Sequence, residues 1–322
     1  MKFKNIDIES RNIINKYLTK ENRISCAYCF TDIFIWKDKY HTQYCIENDC
    51  LYLRQYDDED DLYYYYVPIN SKNLQDSINT VIIDSIENKY KFCFGNIQEK
   101  YINIFKEEYK DIFSVKLVRD FSDYIYNASD LINLSGKKFH KKKNLINKFM
   151  REYEGRYEYR NITAKDINDI LAFNKIWCEK NDSKDSDDMA AETRAITLAL
   201  NNFEKLELKG GMLLVDGNII AYTLGSKNND DTFVVQIEKA LVEYSGSYQA
   251  INNLFAKNNL EGYKYINREE DLGLEGLRKA KLSYNPVIIE DYYMALAHID
   301  RIEVKNALLN QCVLTNSYNK LW

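Results

Sequence analysis

Met212-Leu-Leu-Val-Asp-Gly-Asn-Ile-Ile-Ala-Tyr-Thr-Leu224, followed by Thr232-Phe-Val-Val-Gln-Ile-Glu-Lys-Ala240, carries the reading that decides the fold. Two apolar runs flank Asp216-Gly217-Asn218, and glycine accepts the positive φ of a tight hairpin turn. Strands are therefore predicted at Met212 to Val215 and Ile219 to Leu224, with a third from Thr232 to Ala240. That third strand leads through Tyr244-Ser245-Gly246-Ser247 into a helix with Tyr248, Ile251, Leu254 and Phe255 on one face. A strand from Tyr263 to Asn267, a helix from Leu274 to Leu282 and a final strand from Pro286 to Ala297 complete the series. Upstream lie a strand near 156–162, a helix capped by Thr163 with Asp166 three residues on, and a helix over 189–206.

The first half repeats this order. Strands are predicted near 42–47, 50–56 and 62–69, with Asp57-Asp58-Glu59-Asp60-Asp61 as a turn. A helix on Leu74, Ile78, Val81, Ile82 and Ile86 follows, then a strand from Lys91 to Phe94, a helix on Ile97, Tyr101, Phe105 and Tyr109, and a strand near 112–118. Three strands, helix, strand, helix, strand in each half predict a duplicated α/β (α+β) protein with mixed sheets flanked by helices. The expected domains are 1–128 and 153–322, joined by a connecting helix over 129–152.

The 322 residues are 45% hydrophobic and 29% charged, which excludes a disordered or collagen-like chain. No run approaches the ~18 apolar residues of a membrane span, and Met1-Lys2-Phe3-Lys4-Asn5-Ile6-Asp7 lacks the apolar centre of a signal peptide. Seven cysteines, an odd number, fit reduced thiols better than a disulfide framework. The expected location is cytoplasmic. Cys26, Cys29, Cys45 and Cys50 form C-x2-C-x15-C-x4-C, a spacing compatible with zinc. The surrounding Cys26 to Trp36 is crowded with aromatic and aliphatic residues and has no Gly or Pro, so these cysteines read as small buried hydrophobes. Three scattered histidines give no basis for a metal site or a Ser-His-Asp triad, and no metal is expected.

Charge is uneven. Lys137 to Arg151 holds seven cations and no acid in a chain of net charge −5. Phe139, Ile146 and Phe149 recur at helical spacing there, predicting an amphipathic basic helix. Lys137, Lys138, Lys141, Lys142 and Lys143 are candidate phosphate ligands, with His140 and Asn144 adding hydrogen bonds; a solvated linker helix is the alternative. Glu238 interrupts an otherwise apolar strand and reads either as a base or as half of a salt bridge to Arg278 or Lys281. Asn267-Arg268-Glu269-Glu270-Asp271 follows a predicted strand end, where open α/β sheets place ligand groups. Glu269 and Asp271 are candidates to orient an ammonium, Arg268 to bind phosphate or balance these acids, and Asn267 to bind substrate. Arg278 and Lys281 lie three apart on one helix face and are candidate phosphate ligands.

The element order resembles the GNAT acyltransferase fold, most clearly in the second half. Two longer stretches sharpen the resemblance: Asp130-Leu-Ile-Asn-Leu-Ser-Gly-Lys-Lys-Phe-His-Lys-Lys-Lys-Asn144 and Ile266-Asn-Arg-Glu-Glu-Asp-Leu-Gly-Leu-Glu-Gly-Leu-Arg-Lys-Ala-Lys-Leu-Ser-Tyr-Asn-Pro286. Both are similar to the C-terminal catalytic domain of phosphatidylglycerol lysyltransferase (the DUF2156 family), a tandem GNAT-fold group like the Fem-type aminoacyltransferases. The resemblance implies transfer of an aminoacyl or acyl group to an amine or hydroxyl. The donor would be aminoacyl-tRNA or acyl-CoA, with no tightly bound cofactor, and the acceptor a small molecule, a peptide or a lipid head group. It places donor phosphates at Gly246 and Ser247, where unpaired N–H groups and the helix dipole favour anions. Tyr248 stands where the usual Q/R-x-x-G-x-G/A loop carries a small residue, and is assigned to the substrate. The resemblance to GNAT enzymes implies Tyr284 as the acid for the leaving group, while the residues themselves offer Glu238, or else Asp271, as base. The rival reading is a non-catalytic binding protein that keeps the cleft and has lost the donor loop.

Overall fold

The structure, a computed structural model, describes residues 1–181 and 186–297. In chain order the first half contains β1 (Lys4–Asn5), α1 (Arg11–Leu18), α2 (Phe30–Ile35), β2 (Gln43–Glu47), β3 (Cys50–Asp57), β4 (Leu62–Tyr66), α3 (Leu74–Glu87), β5 (Phe92–Ile97), β6 (Phe113–Leu117), β7 (Asp123–Asn127) and α4 (Ala128–Asn133). The basic helix α5 (His140–Glu152) follows. The second half contains β8 (Tyr157–Asn161), α6 (Ile167–Lys180), α7 (Ser186–Asn201), β9 (Lys209–Val215), β10 (Asn218–Lys227), β11 (Thr232–Ala240), α8 (Ser247–Asn259), β12 (Tyr265–Asn267), α9 (Glu275–Leu282), β13 (Ile288–Glu290) and β14 (Tyr293–Ala297).

Two sheets have the same plan. One runs β1-β2-β3-β4-β5-β14-β6 and the other β8-β9-β10-β11-β12-β7-β13. Their pairings match step for step: only β4–β5 and β11–β12 are parallel, and every other neighbouring pair is antiparallel. Each half of the sequence thus lends one strand to the other half's sheet. The compact units reflect this exchange: Met1–Glu21, Lys37–Phe121 and the described residues from Asp291 form one, and Asn22–Trp36 with the described residues of Ser122–Glu290 the other. The exchange also divides the strand expected over Pro286 to Ala297. Its first part, β13, pairs with β7, and its second, β14, lies between β5 and β6.

The first unit closes over Tyr52, Tyr65, Ile78, Val81, Phe92, Phe94, Phe105 and Phe113. Its expected helix over 97–109 is a short 3-10 turn followed by a π-helical turn over Ile104–Glu108. In the second unit the β9–β10 hairpin turns at Asp216 and Gly217, both at positive φ, as its sequence predicts. Alternation along β9 sends Met212 and Leu214 into a core with Ile170 and Phe173 of α6 and Ile196 of α7. Leu213 and Val215 join Phe149 of α5 and Ile251 of α8 in another.

Gly246 caps α8 at φ +91°, and a Cβ there would lie 2.6 Å from the Leu145 carbonyl oxygen of α5. Gly246→Ala combines a left-handed backbone with a backbone clash. It is expected to lower the unfolding free energy by about 2 kcal/mol or more in a urea titration.

Candidate functional site

The site grows from the way β11 leaves β12. These parallel strands pair only over Thr232–Val234 and Tyr265–Asn267, while β11 continues along β10 to Ala240. Beyond Val234 the β12 side of β11 is open, at the carboxyl ends of parallel strands where open α/β sheets bind ligands. The β10–β11 register also skips Gln236: Leu224 opposes Ile237 and Gly225 opposes Val235. This bulge resets the alternation. Phe233 and Val235 pack with Phe139 and Phe255, whereas Ile237 packs with Ile170 and Ile196.

Past the bulge, Glu238 meets α8 and the end of β12. It accepts hydrogen bonds from Arg268 Nη2 at 2.7 Å and Asn252 Nδ2 at 2.9 Å. The Arg268 guanidinium lies 4.9 Å from the Tyr284 ring centroid and 5.8 Å from that of Tyr126. Lys142 Nζ stands 4.1 Å over the same Tyr284 ring. Burial, then the neighbouring Arg268, lowers Lys142 to about 8, with Glu238 opposing. Burial pushes the Tyr284 hydroxyl up, so it stays protonated. Arg268 Nη1 and Asn252 Oδ1 are buried with no hydrogen-bond partner.

The Asn267–Asp271 loop is fixed from within. Asn267, fully buried, donates to the Ile24 carbonyl and Asp123 and accepts from the Glu269 N–H. Asp271, also fully buried, takes a bidentate pair from Arg278, a hydrogen bond from Tyr124 and one from the Gly273 N–H. Burial raises Asp271, but these bonds outweigh it and bring the carboxyl to about 2. A proton acceptor so committed is a poor base, and Asp271 acts as a strut. Lys281 donates to the Arg268 and Glu270 carbonyls. Arg278 and Lys281 thus tie the loop to α9 rather than facing a phosphate, and the partner of Glu238 is Arg268 rather than either of them. Glu269 and Leu272 hold φ of +57° and +52°, strained backbone of the kind that clusters at functional sites.

Beside this loop lies an acidic group. Cys26 Sγ donates to Asp123 at 3.1 Å and approaches Glu270, and the Cys26 N–H bonds the other Asp123 oxygen. Asp32 of α2 accepts from Gln236 Nε2 at 3.3 Å, and Gln236 also reaches Ser226. Burial raises Asp32 to about 7 and pushes Glu269 and Glu270 up, with Asp32 and Asp123 adding to the respective shifts. Burial and the same acids hold the Cys26 thiol protonated. Cys26 with Asp123 and Glu270, or with Asp32 and Glu269, are sets compact enough to surround a cation. Of the four spaced cysteines, Cys45 and Cys50 belong to the core of the first unit, and Cys26 and Cys29 to the second unit.

Of the remaining expected residues, Tyr248 lies close enough to Glu238 to feel its charge. Ser247 is buried and donates to the Leu241 carbonyl, and Gly246 abuts Leu145, so the turn before α8 is filled by protein. Tyr248 is partly buried in the core with Ile251 and Phe149. Lys137, Lys138, His140, Lys141, Lys143 and Asn144 are exposed, with Lys138 paired to Asp130 at 3.0 Å. Lys142 is the member of the basic run that turns inward.

The family model for the C-terminal part of phosphatidylglycerol lysyltransferase matches residues 20–296. The chain belongs to that family. A protein of unknown function from Bacteroides thetaiotaomicron is 38% identical, with a TM-score of 0.86 over 92% of this chain and 99% of that one. The C-terminal DUF2156 domain assigned to a lysylphosphatidylglycerol synthetase of Agrobacterium fabrum superposes at a TM-score of 0.64, with 9% identity over 95% and 96% of the two chains. A protein of Mycoplasmoides gallisepticum with no assigned function is 26% identical over 71% of this chain and 73% of its own. The duplicated fold is thus the tandem GNAT-like one. No helix among the described residues is long and apolar enough to cross a membrane.

Within this lysyltransferase-type fold, several site residues escape the sequence reading. Asp32 was signalled by its place inside the apolar run Phe30-Thr-Asp-Ile-Phe-Ile35, since an acid there is buried. Asn252, Asp123 and Tyr126 carry no such signal, because their roles depend on which elements the strand exchange brings to β12.

Proposed function

We propose that this chain transfers an aminoacyl group from aminoacyl-tRNA, or an acyl group from acyl-CoA, onto an amine or hydroxyl acceptor in the cytoplasm. The observation that carries the reading is the opening of β11 from β12, lined by Lys142, Glu238, Arg268 and Tyr284. The acceptor's nitrogen or oxygen attacks the donor carbonyl carbon, and neutral Lys142 takes its proton. The oxyanion forms against Arg268 Nη1 and the backbone N–H groups of β11 that face away from β10. When the tetrahedral intermediate collapses, the leaving oxygen or sulfur takes a proton from the Tyr284 hydroxyl. Glu238 is a positioning residue: a proton placed on it would break the ion pair that holds Arg268.

The close packing of Gly246 on the Leu145 carbonyl of α5 weighs toward aminoacyl-tRNA over acyl-CoA, because it restricts one side of the turn where a pyrophosphate would lie. The same observation favours the second reading, a binding protein without catalysis. Release of labelled aminoacyl groups from charged tRNA separates the two.

Exposed Lys137, Lys141 and Lys143 are the proposed tRNA contacts. Replacing all three with Ala, with Lys142 kept, should weaken tRNA binding about tenfold or more at low salt. The log–log salt slope should flatten by roughly 0.7–0.9 for each phosphate that is no longer neutralised. An unchanged slope in filter binding would make α5 a linker.

A further inference from the structure

We propose that Lys142 is a site of covalent acylation, which rests on the transfer reading and adds to its site a modification that switches the protein off. The sequence itself places the group. Phe139, Lys142, Ile146 and Phe149 recur at i, i+3, i+7 and i+10 along the basic stretch, the spacing of one helix face. Phe139, Ile146 and Phe149 are buried, so this lysine occupies the apolar stripe, whereas Lys141 and Lys143 on either side of it are exposed. Its Nζ lies 4.1 Å over the Tyr284 ring. Lys138 of the same run has Asp130 for a partner. Lys142 makes no hydrogen bond or salt bridge to an acid among the described residues.

A lysine amine is a nucleophile only when neutral, and an ordinary one is ~0.04% neutral at pH 7. The groups that face Lys142 are Tyr284, Arg268 and Glu238. Burial and the Arg268 charge, opposed by Glu238, lower it to about 8, so roughly a tenth is neutral at pH 7. Desolvation and a neighbouring cation are the two routes by which proteins activate a lysine nucleophile. With an acceptor bound, the neutral amine takes the acceptor's proton. Without one, the amine is left facing the donor's activated carbonyl, an ester in aminoacyl-tRNA or a thioester in acyl-CoA. Nζ attacks the carbonyl carbon and an N–C bond forms, with the oxyanion held as in transfer. On collapse, the bond from carbon to the leaving oxygen or sulfur breaks, the leaving atom takes the Tyr284 proton, and Nζ returns a proton to the tyrosine. The product is an amide, whose nitrogen has no basic electron pair. The modified chain therefore lacks its base, and donor supplied without acceptor is recorded as lost activity.

Peptide mass spectrometry of the full chain, after incubation with acetyl-CoA alone and with charged tRNA alone, tests this. One acyl group should appear on Lys142, from whichever donor the protein uses, and transfer activity should fall in proportion to it. Trace labelling with acetic anhydride, which needs no donor site, should modify Lys142 about tenfold or more faster than Lys141 or Lys143 at pH 7. Its rate should rise with pH about a midpoint near 8. Tyr284→Phe keeps the ring beneath Lys142 and removes the leaving-group acid, so it should slow acylation by the donor and leave anhydride labelling unchanged. Lys142 unmodified by both donors, anhydride labelling no faster than at its neighbours, or full transfer activity in the acylated protein would overturn the proposal. The first of these, found together with transfer to an acceptor, would leave the transfer reading standing. Acylation of Lys142 without transfer to any acceptor would remove that reading and keep the modification.

Discussion

Lys142→Met is expected to lower the transfer rate by ~10²–10⁴-fold, the usual worth of a positioned acid–base group. The methionine keeps the length and apolar stem that pack over Tyr284 but removes the amine. The wild-type rate should rise with pH and level off near 8, where Lys142 loses its proton, because only the neutral amine accepts one from the acceptor. The variant should lose both the rate and this inflection, while donor affinity changes little. Glu238→Gln is the informative contrast. It keeps an acceptor for Arg268 but removes the charge that holds it, so its rate should fall, with an inflection retained but moved below 8 because Glu238 opposes the lowering of Lys142. An inflection lost in Glu238→Gln and retained in Lys142→Met would return the role of base to Glu238.

Asp32→Asn is expected to stabilise the protein at pH 8 and to do little at pH 5. The sign follows from linkage. Burial raises Asp32 from 3.8 to about 7 in the folded state, so between those values the folded chain holds a proton that the unfolded chain releases. Stability from this group is fully present below about 4 and is lost as pH rises through about 7. The loss is on the order of 2–4 kcal/mol; burial is its main cause, hydrogen bonds with Glu269 and Gln236 offset part of it, and Glu270 and Asp123 add to it. Asparagine removes that slope. Urea denaturation at pH 5 and 8 measures it, and equal pH dependence in the two proteins would show that Asp32 carries no such penalty.

The duplicated strand order is legible in the sequence because hairpin chemistry at Asp216-Gly217 and helical spacing at Ile251, Leu254 and Phe255 are local signals. The strand exchange is not. β7 lies past the last strand expected in the first half, β14 reads as the end of the strand expected over Pro286 to Ala297, and only pairing with β12 and β5 reveals where they go. The site is split in the same way. Glu238 stands out as an acid in an apolar strand, but its face depends on the bulge at Gln236, which no residue pattern marks. Arg268, Arg278 and Lys281 are visible as cations near a strand end. Their division of labour, one toward Glu238 and two into the loop's own support, follows from where α9 packs. Within the basic run, Lys142 differs from Lys141 and Lys143 only in helical phase, and that phase turns it toward Tyr284.

The most direct test of the account is the release of radiolabelled aminoacyl groups from bulk charged tRNA, incubated with the protein and a mixture of amines, peptides and phospholipid vesicles. The account predicts accelerated release by the wild type, with the label recovered on an acceptor, and release near the spontaneous rate with Lys142→Met. Release by the wild type no faster than without protein, or equal acceleration by the two proteins, would contradict it.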